Sequence, residues 1–98
     1  MQGIILHKKN LGQDYPCFSP QNYDIAATFD YDTTDVDEFL ERAYEATNSI
    51  DYHWSENEGV LVSGDYSKRS TSVGDIIWIE TKIYEVAPFG FSYVTITN

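Results

Sequence analysis

Val73-Gly74-Asp75-Ile76-Ile77-Trp78-Ile79-Glu80-Thr81-Lys82-Ile83-Tyr84-Glu85-Val86-Ala87 decides the fold class of this chain. The Val73-Gly74-Asp75 turn signal leads into a run rich in β-branched and aromatic residues. That run breaks for a very short corner at Glu80-Thr81-Lys82 and then resumes, which predicts a β-hairpin. The corner lacks the Gly or Asn that usually supplies its positive backbone angle. Pro88 and Gly90 interrupt the pattern once more before Phe91-Ser92-Tyr93-Val94-Thr95-Ile96-Thr97, an alternating third strand. A three-stranded antiparallel meander exposes an apolar face, so something must cover it.

The covering element lies upstream. Val36, Phe39, Leu40, Ala43, Tyr44 and Thr47 recur at the spacing of one helical face and predict an amphipathic helix over Thr34 to Thr47. Thr34 with Asp37, or Asp35 with Glu38, supplies the start, acids in the first turn suit the helix dipole, and Asn48 ends it. On the outer face Asp37, Glu41 and Glu45 form a repulsive row, relieved in part by pairing of Glu38 with Arg42. Residues 3 to 8 and Ile25 to Tyr31 read as strands separated by a loop from Gly12 to Asn22, and Val60 to Val62 as a short strand within the irregular Ser49 to Lys68 stretch. The expected fold is α+β, one amphipathic helix packed on a small antiparallel β-sheet that ends in the meander. No repeat or linker divides the chain, so residues 1–98 read as a single domain.

Composition sets further bounds. The 98 residues are 42% hydrophobic and 15% aromatic, enough to form one core and too much for an intrinsically disordered chain. Cys17 is the single cysteine, so no internal disulfide is available. The start of the chain lacks the basic-then-apolar order of a signal peptide and no segment is apolar enough to span a membrane, so a cytoplasmic protein is expected. The net charge is −10, and Asp24 through Glu58 holds eleven acids against Arg42 alone. Such a field repels phosphate backbones, which argues against direct nucleic-acid binding, and attracts basic protein surfaces. The same charge also serves solubility.

Arg69-Ser70-Thr71-Ser72-Val73-Gly74-Asp75-Ile76-Ile77, followed by Tyr84-Glu85-Val86 and Gly90-Phe91, resembles the closing module of small phage and plasmid accessory proteins, including YodL-type domains. Ala46-Thr47-Asn48-Ser49-Ile50-Asp51, with Trp54, Asn57, Glu58, Gly59 and Val60, is similar to a stretch that precedes this module in small phage-encoded proteins. The resemblance implies a phage or mobile-element origin and action in a host cytoplasm, with antagonism of host defence suspected for some such proteins. It supplies no catalytic residues.

Four groups of residues invite a chemical reading. Asp30, Asp32 and Glu41 imitate the ligand spacing of a calcium loop, but Asp35 occupies the sixth place, where Gly makes the sharp turn. No metal site is therefore expected, and these acids read as part of a solvated helix start. His7, His53 and Cys17 are too scattered for zinc or for a nucleophile pair, and no cofactor is expected. Arg69, Ser70, Thr71, Ser72 and Asp75 gather a cation, hydroxyls and a flexible turn. Such a segment either holds a partner's anionic group or satisfies its own backbone while Arg69 pairs with a nearby acid. Trp54 sits in irregular chain and either anchors a loop or meets a partner, whereas Trp78 belongs to a strand and reads as core.

These residues favour a non-enzymatic protein that binds a protein partner through Asp37, Glu41 and Glu45, acting as phosphate mimics toward a basic groove, or through the surface formed by Trp54 and residues 69–75. Two other classes stay open at this point. One is a small enzyme or ligand-binding protein with a pocket between helix and sheet; the other is a structural or homo-oligomeric module that pairs through strand edges near Ile96.

Overall fold

A computed structural model describes residues 1–10, 18–48, 57–62 and 69–94. Among the described residues six strands form one antiparallel sheet: β1 (Gln2–Lys8), β2 (Tyr23–Asp30), β3 (Val60–Val62), β4 (Ile76–Ile79), β5 (Lys82–Val86) and β6 (Phe91–Val94). Their order across the sheet is β3-β2-β1-β4-β5-β6. Helix α1 (Val36–Thr47) lies between β2 and β3 in the chain. The fold is α+β, with the helix on an antiparallel sheet and β4, β5 and β6 adjacent in chain order, as the C-terminal pattern predicts. The sheet extends beyond that meander, because β1 lies at its centre and pairs with both β2 and β4.

The pleat sorts side chains between two cores. Ile5, Ala27, Phe29, Ile77, Ile79 and Val86 face the helix and pack under Phe39, Leu40 and Ala43. Gly3 lets the helix approach, since a Cβ there would lie 2.8 Å from the Phe39 ring. Leu6, Ile76 and Ile83 point to the opposite face, where Phe18, Tyr23 and Trp78 cover them. Trp78 belongs to this second layer as a half-buried residue, its ring edge-on to Phe18 at 5.9 Å. Across that face, hydrogen-bonded strands align Leu61, Thr28, Ile4, Trp78, Ile83 and Val94 in one row.

Helix α1 begins two residues later than its sequence pattern suggests. Asp35 is the N-cap, and its Oδ1 accepts from the backbone N–H groups of Asp37 at 3.0 Å and Glu38 at 3.4 Å. Thr33 in turn accepts from the Asp35 N–H at 3.1 Å, which orients the cap and leaves Thr34 outside the helix. Strand β2 likewise starts at Tyr23, earlier than Ile25. The β4–β5 hairpin closes through Glu80-Thr81, with Ile79 opposite Lys82. Glu80 itself takes the positive φ of +54° that glycine usually provides, and its carbonyl accepts the Trp78 indole N–H at 2.7 Å.

The edges of the sheet are β3 and β6. Ile96, proposed above as an edge contact, lies outside the described residues, as do Trp54, His53 and Cys17. Among the described residues no helix is long and apolar enough to cross a membrane.

Candidate functional site

Residues 69–75 carry the chain past the C-terminal end of α1 and into β4. Asp75 is fully buried, and its carboxylate receives four donors. Arg69 forks onto it with Nη1 2.5 Å from Oδ2 and Nη2 2.7 Å from Oδ1. The backbone N–H of Lys8 donates to Oδ1 at 2.8 Å and that of Ser72 to Oδ2 at 2.7 Å. Arg69 also donates to the carbonyls of Lys8 and Ser70, at 3.0 and 3.1 Å. A buried charge is tolerated only when paired and hydrogen-bonded, and this one is both. The Ser72 N–H, a candidate for holding a partner's anionic group, is thus bonded to the chain's own carboxylate.

Thr71, also fully buried, lies within a directional chain of hydrogen bonds. Thr47 donates to the Ala43 carbonyl at 2.7 Å, and Thr71 donates to Thr47 at 2.7 Å. With its proton committed, the Thr71 hydroxyl accepts from His7 Nε2 at 2.9 Å, so this ring nitrogen carries hydrogen. Burial pushes the His7 imidazole down from 6.5 to about 4; the Asp75 carboxylate opposes the shift and Arg69 adds to it. His7 is therefore neutral at pH 7. Asn48 completes the junction by donating to the Thr71 carbonyl at 2.5 Å and to the Tyr44 hydroxyl at 3.0 Å. Arg69, Thr71 and Asp75 consequently spend their polar groups on joining β1, α1 and β4, and Ser70 and Ser72 are half-buried beside them. Val73 is the residue of the segment that reaches the surface, at 50% exposure.

The outer face of α1 presents Asp37, Glu38, Glu41, Arg42 and Glu45 to solvent. Arg42 pairs with Glu45, its Nη1 3.3 Å from both carboxylate oxygens, rather than forming the ion pair with Glu38 suggested by their spacing. A hydrogen bond donated to Tyr31, the residue after β2, and the adjacent Glu45 both hold the guanidinium in its charged form. Glu41 makes no ion pair or side-chain hydrogen bond among the described residues. Asp30 and Asp32 lie to one side, lining with Arg42, Glu45 and Glu58 an open cavity of about 470 Å³. Glu41 instead borders a different cleft, so the three acids that imitate a calcium loop do not line a common cavity. Among the described residues no three His, Cys, Asp or Glu side chains are grouped to hold a metal.

That second cleft, about 370 Å³, runs between α1 and the β5–β6 turn. Glu41 and Glu45 line its helix side together with Tyr44, while Val73, Val86 and Phe91 line it from the sheet side. Tyr44 meets Phe91 edge-on at 6.4 Å and is held at its hydroxyl by Asn48. Pro88 and Gly90 form the lip, where the Ala87 N–H bonds the Gly90 carbonyl at 3.0 Å. Phe89, at the tip of this turn, is 96% exposed. The structure thereby joins the helix acids to the 69–75 segment, which sequence reasoning treated as separate surfaces. It does so through Val73, which lies inside the 69–75 segment, and through Tyr44 and Phe91, neither of them singled out beforehand as a site residue. A signal for the apolar part was present, since a large aromatic between Pro88 and Gly90 sits where a turn has no core to offer it. Compared with known proteins, the chain matches no family, no curated protein and no solved structure.

Proposed function

We propose that this chain is a non-enzymatic accessory protein of the phage or mobile-element kind that docks a basic surface of a protein partner through the outer face of α1. The observation that carries this reading is the exposure of Asp37, Glu41 and Glu45 along one helical ridge, with the ridge's one cation, Arg42, already tied to Glu45. Four residues of helix rise about 6 Å, so the carboxylates form a regular ladder of charge, suited to a groove that otherwise receives phosphates. The other described bases are placed elsewhere. Lys8, Lys9 and Arg69 gather at the Tyr23 end of β1, whereas Asp30 lies at the Gln2 end, roughly 20 Å away along a seven-residue strand. Arg69 therefore does not converge with the acids around Asp30 and Glu58, which supports a docking role over a catalytic pocket.

The test is partner capture from a host-cell lysate at about 0.1 M and about 1 M salt, using the natural chain and the combined Asp37→Asn, Glu41→Gln, Glu45→Gln variant. Screening shortens from about 10 Å to about 3 Å over that range, so capture by the acidic ridge falls away at high salt and in the variant. The same partner retained unchanged under both conditions overturns the reading.

A further inference from the structure

The proposed acidic docking face leaves open what gives it specificity, and the cleft beside it has the required chemistry. Its two sides differ: Val73, Val86 and Phe91 make an apolar wall on the sheet side, while Glu41 and Glu45 stand on the helix side. An apolar ligand would leave the Glu41 carboxylate facing it unpaired, and a small cation would gain nothing from the wall. A long side chain with an aliphatic stem and a cationic head matches both. Of the two such residues, arginine fits better. Its planar guanidinium forks onto carboxylates, lies against aromatic rings and is less strongly hydrated than an ammonium.

We propose that the cleft between α1 and the β5–β6 turn is the specificity pocket of this surface and receives an arginine side chain of the protein partner, with its stem on Val73 and Phe91 and its guanidinium on Glu41. This rests on the docking role proposed for the helix face. Glu41 is the principal acceptor because it has no internal partner among the described residues, whereas Glu45 already shares its oxygens with Arg42. Tyr44 is fixed from behind by Asn48, and Asn48 by the Thr71 carbonyl, so the helix side of the cleft is held in place before the ligand arrives. Preorganisation of this kind reduces the ordering cost of binding.

The experiment titrates the intact chain with a short synthetic peptide carrying two arginines around a leucine, and with the same peptide carrying lysines, following Kd and NMR shifts at about 0.05 M salt. The arginine peptide is expected to shift Val73, Tyr44 and Phe91 and to bind several-fold more tightly than the lysine peptide. Glu41→Gln is expected to weaken it about tenfold, by loss of a charge-assisted bond. Val73→Ser removes apolar contact without altering charge and is expected to weaken it about threefold to fivefold. Asp37→Asn, on the same helix face but away from the cleft, is expected to change binding less than twofold. If Asp37→Asn and Glu41→Gln weaken binding equally and Val73→Ser has no effect, attraction is diffuse; the pocket is then refuted while the acidic-face reading stands. If neither Asp37→Asn nor Glu41→Gln weakens binding, both proposals fail.

Discussion

The neutral, buried imidazole of His7 ties stability to pH in a window where carboxylates contribute little. In the unfolded chain this histidine takes up a proton near 6.5, whereas in the folded protein burial delays protonation to about 4. Between those values the unfolded state binds more protons, so the stabilising effect is complete above the unfolded value and is lost as pH falls through the window. With these two values, lowering the pH from 7 to 5 removes about 2 kcal/mol, and the full shift corresponds to about 3 kcal/mol. The perturbation is His7→Gln, whose amide nitrogen can donate to Thr71 as Nε2 does but does not titrate. Urea unfolding of both proteins, followed by tryptophan fluorescence at pH 7, 6 and 5, measures the difference, and the acids common to both cancel. The natural chain is expected to lose about 2 kcal/mol more than the variant between pH 7 and pH 5. Equal losses, or a His7 ring signal titrating near 6.5 in the folded protein, would refute the reasoning.

Three further substitutions test the packing. Gly3→Ala forces a methyl against the Phe39 ring at 2.8 Å and is expected to cost about 1–3 kcal/mol, read as a lower urea midpoint. Glu80→Gly relieves a positive φ in the hairpin corner and is expected to raise stability by about 1 kcal/mol, visible as a higher Tm. Asp75→Asn leaves the Arg69 guanidinium without its counter-charge and is expected to destabilise by about 3 kcal/mol or more in denaturant titration.

The elements that sequence revealed most directly are those whose burial is one-sided. Helix α1 buries Phe39, Leu40, Ala43 and Thr47 and exposes the acids between them, so its period survives in the residues themselves. Strand β1 leaves Gln2 and Ile4 exposed and then hides both faces: Ile5 points to the helix, Leu6 to the opposite layer, and a histidine lies wholly inside. A strand of that kind shows no clean alternation, which is why its central place in the sheet could not be read from residues 3 to 8. The helix start was ambiguous because Thr34 and Asp35 offer overlapping caps, and the bond from the Asp35 N–H to Thr33, outside the helix, accompanies the cap that forms. Arg42 has carboxylates in reach at positions 38 and 45; a contact with Tyr31, just past β2, accompanies the Glu45 pairing, and no spacing rule contains that information. For the candidate site, the acids and the 69–75 segment were visible separately. Their meeting was not, since Thr71 finds partners 24 and 64 positions away, and only closure of the sheet brings Val73 beside α1.

The Asp75 junction also has a kinetic consequence. It joins Lys8 to a residue 67 positions later, so it can close only after most of the chain has been gathered, at a large loop-closure cost. Interactions made that late are largely absent from the folding transition state. Loosening the junction is therefore expected to steepen escape from the native state while leaving the speed of reaching it nearly unchanged. In stopped-flow measurements, Asp75→Asn should displace the unfolding arm of the chevron and leave the refolding arm in place. The junction would then set how long each folded molecule endures, independently of how quickly it forms.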